Sequence, residues 1–433
     1  IVGTSDTADQ DAAFVARLAA ADGDWDTGFS SNGYVSLANL LAFLGTETAF
    51  EDVAVYADRR ILACGYVRRG AERNMLVMRF LVNGALDTSF NGSGWREIDF
   101  NGGGADDDVC ERVLILPDQR IVLAGTANTF VPGDAGFALV RLNANGSPDN
   151  SFSGDGKAAY DDASSLTSPE VVDVGYDATR QRLIVAATSA GGAFAPTGLL
   201  VAVTDAGALD PGFNGTGRRN LRFSDFGPVA HAREFGATHL TRLLMRPDGS
   251  FYLAGTHENS PADESTYGAS DVALARVLAD GSDDTGTNGF SYDGVSFFAY
   301  DGMGYANVQP AAERLRVGDT LADAIFYRGN VLLLSETNRH PEGIWSDVAW
   351  DLGPIAPVLA GIVADRIWSE DFEPDGLAAP TSLFSVIPVP AGYGRYCSVR
   401  DPFSGGFGLL PQGATSDPCQ QFVDDDPNLI VER

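Results

Sequence analysis

Asp87-Thr88-Ser89-Phe90, trailed by Asn91-Gly92-Ser93-Gly94, decides the fold because the chain repeats it. Asp26-Thr27-Gly28-Phe29, Asp149-Asn150-Ser151-Phe152 and Asp210-Pro211-Gly212-Phe213 are variants of the same motif. A fifth, Asp284-Thr285-Gly286-Thr287, lacks the aromatic residue. The four phenylalanines follow one another at intervals of 61, 62 and 61 residues, and Thr287 stands 74 beyond Phe213. Near-equal steps of this kind are the mark of a repeat architecture. The longer step reads as one unit with an insertion, placed near residues 258–270.

Each unit has one internal grammar. An apolar stretch such as Val113-Leu114-Ile115-Leu116 runs into Pro117-Asp118-Gln119-Arg120, a turn echoed by Pro247-Asp248-Gly249-Ser250 and Ala57-Asp58-Arg59-Arg60. Proline presets φ and aspartate bonds its own backbone, so these are hairpin turns. A second strand follows, Ile121-Val122-Leu123-Ala124-Gly125, echoed by Ile61-Leu62-Ala63-Cys64-Gly65 and Phe251-Tyr252-Leu253-Ala254-Gly255. After a variable loop comes a third strand (Phe137-Ala138-Leu139-Val140-Arg141-Leu142), then the Asp-x-x-Phe motif and a fourth, less apolar strand. Short strands without a long helical period predict an all-β chain. A single four-stranded sheet cannot bury both faces, so the units must pack on one another, as blades of a β-propeller do.

The phase of the repeat sets the blade count. Ile1-Val2-Gly3-Thr4 aligns with a second strand and Phe14-Val15-Ala16-Arg17-Leu18 with a third, so the chain enters mid-blade. Four whole units follow, and a degraded one runs from Ala322 through Val331-Leu332-Leu333-Leu334 to Val348-Ala349-Trp350. The expectation is about six four-stranded blades, with about seven as the alternative, and a ring closed by N- and C-terminal strands. Residues 357–367 or 382–389 are the candidates for closure. The propeller is expected over 1–371, with 372–433 partly closing it and partly forming a cysteine-containing extension.

These motifs resemble the delta-60 repeat family, a bacterial β-propeller domain of unknown function. Residues 86–94 and 116–125 carry the resemblance best, followed by 209–217 and 246–255; it covers roughly 1–352. It implies an exported or surface-associated protein and brings no catalytic residues with it. The unit from Ala322 departs from the pattern, and residues after about 372 lie outside it.

Composition narrows the partners. Formal net charge is −30, with Lys157 the one lysine among 29 basic residues. Nucleic acid is excluded as a partner, because neutralising phosphates takes clustered Lys and Arg. Anionic membrane surfaces are disfavoured on the same ground, and no apolar run reaches the ~18 residues that span a bilayer. The arginine-dominated, Ala/Gly/Asp-rich usage points to a bacterial source. The four cysteines permit two bridges. Cys397 and Cys419 would order a Gly/Pro-rich tail by pairing, whereas Cys64 and Cys110 either pair or stay free in the core. An oxidising compartment is expected.

Among candidate sites, the recurring Asp26, Asp87, Asp149 and Asp210, each followed by Phe29, Phe90, Phe152 or Phe213, read as structural: aspartate ties a turn and phenylalanine plugs the seam between blades. Arg17, Arg79, Arg141 and Arg276 recur late in the third strand and are placed to pair with those aspartates. Asp22, Asp24 and Asp26 alternate as calcium ligands do, but without the glycine and glutamate of an EF-hand loop. No catalytic residues and no cofactor other than calcium are read from the sequence. His231, His239, His257 and His340 have no zinc spacing. A non-catalytic extracellular or cell-surface binding or structural module is the leading expectation, with a protein or glycan partner at loops 127–135, 190–196, 256–270 and 337–344. The alternatives are a hydrolase or lyase with its site at the channel, and self-association through strand donation.

Overall fold

The computed structural model describes the chain apart from residues 8–9, 20–22, 41–45, 101–106, 128–135, 161–168, 190–195, 227–235, 259–269, 286–289, 291–293, 299–318, 328–329, 338–355, 364–365, 369–396, 401–406, 411–429 and 433. The described residues form six antiparallel sheets taken in chain order. The first has three strands, β1 (Val2–Thr7), β2 (Gln10–Ala16) and β3 (Tyr34–Ser36). The second holds β4 (Glu47–Val55), β5 (Ile61–Arg69), β6 (Glu72–Phe80) and β7 (Trp95–Ile98). The third holds β8 (Val109–Ile115), β9 (Ile121–Ala127), β10 (Gly136–Leu142) and β11 (Lys157–Tyr160). The fourth holds β12 (Pro169–Asp177), β13 (Arg182–Ser189), β14 (Thr197–Thr204) and β15 (Arg218–Leu221). The fifth holds β16 (Thr238–Met245), β17 (Phe251–Glu258), β18 (Ser270–Val277) and β19 (Val295–Phe298), and the sixth β20 (Asp319–Tyr327), β21 (Asn330–Thr337), β22 (Ala356–Val363) and β23 (Arg366–Trp368).

Two compact units divide these sheets: Ile1–Phe194 with Leu199–Arg219, and Ala195–Gly198 with Asn220–Arg433. Within the first, successive sheets share their cores. Alternate residues of a strand face opposite sides, so Ile61 and Ala63 of β5 pack with Val15 and Phe29, while Leu62 and Cys64 pack with Val113 and Leu123. Both faces being covered explains why β5, β9 and β13 read as nearly unbroken apolar runs. In the second unit Tyr252 and Leu274 likewise share a core with Leu321 and Leu333.

The Pro-Asp turn works as its residues suggest. Leu116 N donates to Arg120 O at 2.8 Å, and Asp118 Oδ1 accepts from Arg120 N at 3.0 Å. The residue after the aspartate is left-handed in each copy, with φ of 69° at Arg59, 72° at Gln119 and 84° at Gly249.

Every complete sheet carries a β-bulge in its first strand, between Phe50/Asp52, Cys110/Arg112, Val171/Asp173, Leu240/Arg242 and Leu321/Asp323. The bulge drives a first-strand carbonyl toward the second strand, which is why Gly65, Gly125 and Gly255 end the apolar run. A Cβ on Gly125 would lie 1.9 Å from Val109 O. Ala187 fills the place in the fourth sheet.

Two expectations about the end of the chain need correction. The third strand of the sixth sheet is β22, further along than Val348-Ala349-Trp350, which lies outside the described residues. Residues 357–363 and 366–367 pair within that sheet, β22 against β21 and β23 against β22, so they do not close the first one. The alternation of apolar residues suits either partner, and insertion 338–355 hides which strand takes it. Residues 382–389 lie outside the described residues. Strands β24 (Cys397–Arg400), β25 (Phe407–Leu410) and β26 (Ile430–Glu432) extend the fifth sheet, through a parallel pair of Phe298 with Phe407.

Candidate functional site

The repeated motif forms an inter-sheet clasp. Arg79 Nε lies 2.8 Å from Asp87 Oδ2, and Arg141 Nε 2.7 Å from Asp149 Oδ2. Arg17 stands 2.7 Å from Asp26, and Arg276 3.1 Å from Asp284. The other carboxylate oxygen accepts the backbone N–H two residues on, from Ser89 at 3.1 Å and Ser151 at 3.0 Å. Three of these guanidinium groups also reach forward to a turn of the next sheet: Arg17 to Val82 O at 2.5 Å, Arg79 to Ala144 O at 2.5 Å and Arg141 to Asp205 Oδ1 at 2.7 Å. The guanidinium lies over the buried phenylalanine, 4.9 Å from the Phe90 centroid and 4.8 Å from that of Phe152. Backbone bonds run along the same seam, from Ser30 N to Asn83 O, Asn91 N to Asn145 O and Ser153 N to Ala206 O.

A second arginine at the start of the second strand completes the clasp. Arg60 reaches Asp87 at 3.2 Å, Arg120 reaches Asp149 at 3.2 Å and Arg182 reaches Asp210 at 2.8 Å. The sequence carries the signal, because each follows a hairpin turn and opens a β-strand, although an arginine beside a turn reads equally as surface polarity. Burial pushes the Asp87 and Asp149 carboxyls up; hydrogen bonds from Ser89 and Arg60, or from Ser151 and Arg120, and the charges of Arg79 and Arg141 outweigh it and hold both at about 2.

The fifth motif keeps its aromatic residue. Phe290 is buried, its carbonyl accepts from Gly294 N at 2.8 Å, and Arg276 N donates to Gly294 O at 2.9 Å, the pattern of Phe90, Gly94 and Arg79. Thr287 is not the equivalent position; three extra residues displace the phenylalanine.

Of the calcium candidates, Asp22 lies outside the described residues. Asp24 O accepts from Ala19 N in a tight turn, and Asp26 binds Arg17 and Gly28 N, a pairing that lowers its pKa. Among the described residues no three His, Cys, Asp or Glu gather as a metal site. His239 Nε2 lies 3.2 Å from Glu258, and His257 is buried. Cys419, His231 and His340 fall outside the described residues. Cys64 and Cys110 form a disulfide, with Cα atoms 5.7 Å apart, joining β5 to β8 across a seam.

The bulges place a second set of polar residues between first strands. Asp52 Oδ2 accepts from Val113 N at 2.8 Å, Arg112 donates to Val172 O, and Glu111 accepts from Val171 N at 2.6 Å and from Thr126 Oγ1 at 2.5 Å. Burial pushes Glu111 up to about 7 against those two hydrogen bonds. At the opposite edge of the second and third sheets a cleft of about 190 Å³ opens between β7 and β11, lined by Arg96, Glu97, Asp99, Asp155 and Lys157 among others. Between the second and third sheets the first strands are tied by Asp52 to Val113 N, and the cleft opens at the fourth strands.

Some solved structures show a similar chain path at low similarity. An endo-arabinase from Bacteroides thetaiotaomicron VPI-5482 is 10% identical, with 74% of this chain and 95% of that one covered and a TM-score of 0.33. An alpha-L-arabinofuranosidase from Lactobacillus brevis is 11% identical over 71% and 88%, at 0.30. Drosophila Plexin A in complex with Semaphorin 1b is 8% identical over 72% and 51%, at 0.35. Identities and scores this low say nothing about activity. No curated protein matches the sequence. A family model does, over residues 57–90 and 116–152, two stretches that each end on the phenylalanine of a clasp. Over these two stretches the chain matches the family described as a domain of unknown function (DUF5122) beta-propeller.

Proposed function

We propose that this chain is a secreted or cell-surface β-propeller acting as a non-catalytic binding or structural module, its ring of blades closed by terminal strands. The clasp carries the reading. The aspartate of the recurring Asp-x-x-Phe motif is spent as a structural counter-ion, and Asp87 and Asp149, at about 2, sit far below the range useful for moving protons at neutral pH. What varies is the connection from second to third strand: Gly70 and Ala71 alone in the second sheet, against 128–135 in the third and 259–269 in the fifth. A rigid frame with loops of variable length suits recognition. The charge of −30 turns the choice of partner toward protein or glycan and away from nucleic acid. The buried Cys64–Cys110 bridge fits an oxidising compartment. Calcium has no part in this reading, because Asp26 is already neutralised by Arg17.

The test pairs a glycan array and a protein pull-down with a panel of glycosidase and esterase substrates. Replacing 128–135 by a two-residue turn should abolish capture of a ligand without lowering the melting temperature. Turnover of any substrate would overturn the non-catalytic reading. Glu111, titrating near neutrality, is then the first carboxyl to replace.

A further inference from the structure

We propose that the cleft between β7 and β11 binds a small carboxylate with an aliphatic body, held by Arg96 from one sheet and Lys157 from the next. The site goes beyond the binding reading above, which puts its partner on the loops. The repeat supplies its own control. Ala16, Met78 and Val140 each precede a clasp arginine, so their fourth-strand partners Tyr34, Trp95 and Lys157 hold one position of the repeat. Val35, Arg96 and Ala158 hold the next. Neighbouring residues of a strand point to opposite faces. The seam of the first and second sheets therefore receives Val35 and Trp95, and both pack against the core those sheets share. The seam of the second and third receives Arg96 and Lys157, and there the cleft of about 190 Å³ opens. Two cations enter one seam where the preceding seam has an apolar pair.

The bonds these cations make go to neutral oxygens. Arg96 Nη1 donates to Asn91 Oδ1 at 3.1 Å and, across the seam, to Gly146 O at 3.4 Å. Lys157 Nζ donates across it in the other direction, to Asp99 O at 3.0 Å. Burial draws the Arg96 pKa below the ordinary arginine value, whereas hydrogen bonding to Glu47 and Glu97 raises those of Arg68 and Arg69. Nearby carboxylates are engaged elsewhere: Glu97 turns to Arg69 and Asn74, and Asp155 Oδ1 accepts from Lys157 N at 2.9 Å. A guanidinium has five N–H donors and an ammonium three, so both keep donors for an anion. An anion between them offsets their mutual repulsion and their lost hydration.

Size and walls choose the anion. Ile98, Val140 and Leu142 give the cleft aliphatic walls. Its volume stays below the roughly 300 Å³ at which drug-sized sites begin. A carboxylate on about four carbons meets both conditions, with hydrocarbon against the walls and oxygens on the cations.

An NMR titration of the full chain with isovalerate in low-salt buffer, following the amides of Arg96, Ile98 and Lys157, tests the site. Isovaleramide has the shape without the charge, and inorganic phosphate has charge without hydrocarbon. Isovalerate should bind with a Kd of roughly 1 mM, and each control at least about tenfold more weakly. Arg96→Gln and Lys157→Gln should each weaken isovalerate by about tenfold or more. Arg96→Val with Lys157→Trp rebuilds the apolar pair of the preceding seam and should abolish binding. Amides unmoved by isovalerate up to about 20 mM would overturn the proposal. So would isovaleramide or phosphate binding as tightly, or glutamine variants that bind as the unaltered protein does. The two ligand controls need no variant, so a substitution that fails to fold does not blunt the test. Neither cation belongs to a recognition loop, so this outcome and that of the loop replacement are independent.

Discussion

Arg182 Nη1 lies 2.8 Å from Asp210 Oδ2, reaching it from the start of the second strand because the third strand has no arginine to offer. Ala202 holds that place: Asp210 N donates to Ala202 O at 2.9 Å, as Asp149 N donates to Arg141 O at 3.0 Å. The carboxylate needs a cation, and either strand supplies it. Where both do, as with Arg120 and Arg141 at Asp149, one is partly redundant. Arg182→Ala should therefore destabilise by about 3 kcal/mol, because it takes the cation from the buried Asp177, 3.3 Å from Arg182 Nε, as well as from the half-buried Asp210, and Arg120→Ala by about 1 kcal/mol. Denaturant melts of the two variants check the ranking; equal losses would contradict it.

Acid should loosen the clasps late. An aspartate whose folded pKa is depressed contributes stability above its unfolded value near 4, and loses it as pH falls through the folded one. For Asp87 and Asp149 that window runs from about 4 down to about 2. Thermal melts over this range should fall steeply, and Asp149→Asn should flatten the slope.

Glu111 runs the other way. Its folded pKa is raised from 4.5 to about 7, so this group's contribution worsens as pH rises through that interval and stays unfavourable above it. Glu111→Gln keeps an acceptor for Val171 N and presents an amide N–H to Thr126 Oγ1, whose hydroxyl can turn to accept it. It should stabilise the protein at pH 8, by at most about 3 kcal/mol, and leave it unchanged at pH 4.

The disulfide spans 46 residues and ties two sheets. Cys64→Ala with Cys110→Ala should cost about 4 kcal/mol. Both sulfurs are buried, so the native protein should resist reductant until it unfolds. Thiol labelling under native conditions reads this out.

The period, the Pro-Asp hairpins and the mid-blade entry at Ile1 were legible because each is a local pattern with a backbone reason. Phe290 was not, since three inserted residues move it out of register with Thr287. The bulges were invisible because one extra residue in an apolar strand leaves no mark on composition, although the glycines opposite record their consequence. The end of the chain misled because the run 357–363 satisfies any apolar partner, and only pairing with β21 chooses one. Arg60, Arg120 and Arg182 recur as plainly as the aspartates, but a charged residue beside a turn looks like surface until distances are known.

The claim at the centre is that each clasp joins one blade to the next. A double-mutant cycle between Arg141 and Asp205, 2.7 Å apart across a seam, measures that directly by equilibrium unfolding. The account predicts a coupling of about 1 kcal/mol or more. Strictly additive losses would mean that the arginine serves only its own turn, and the blades are held by something else.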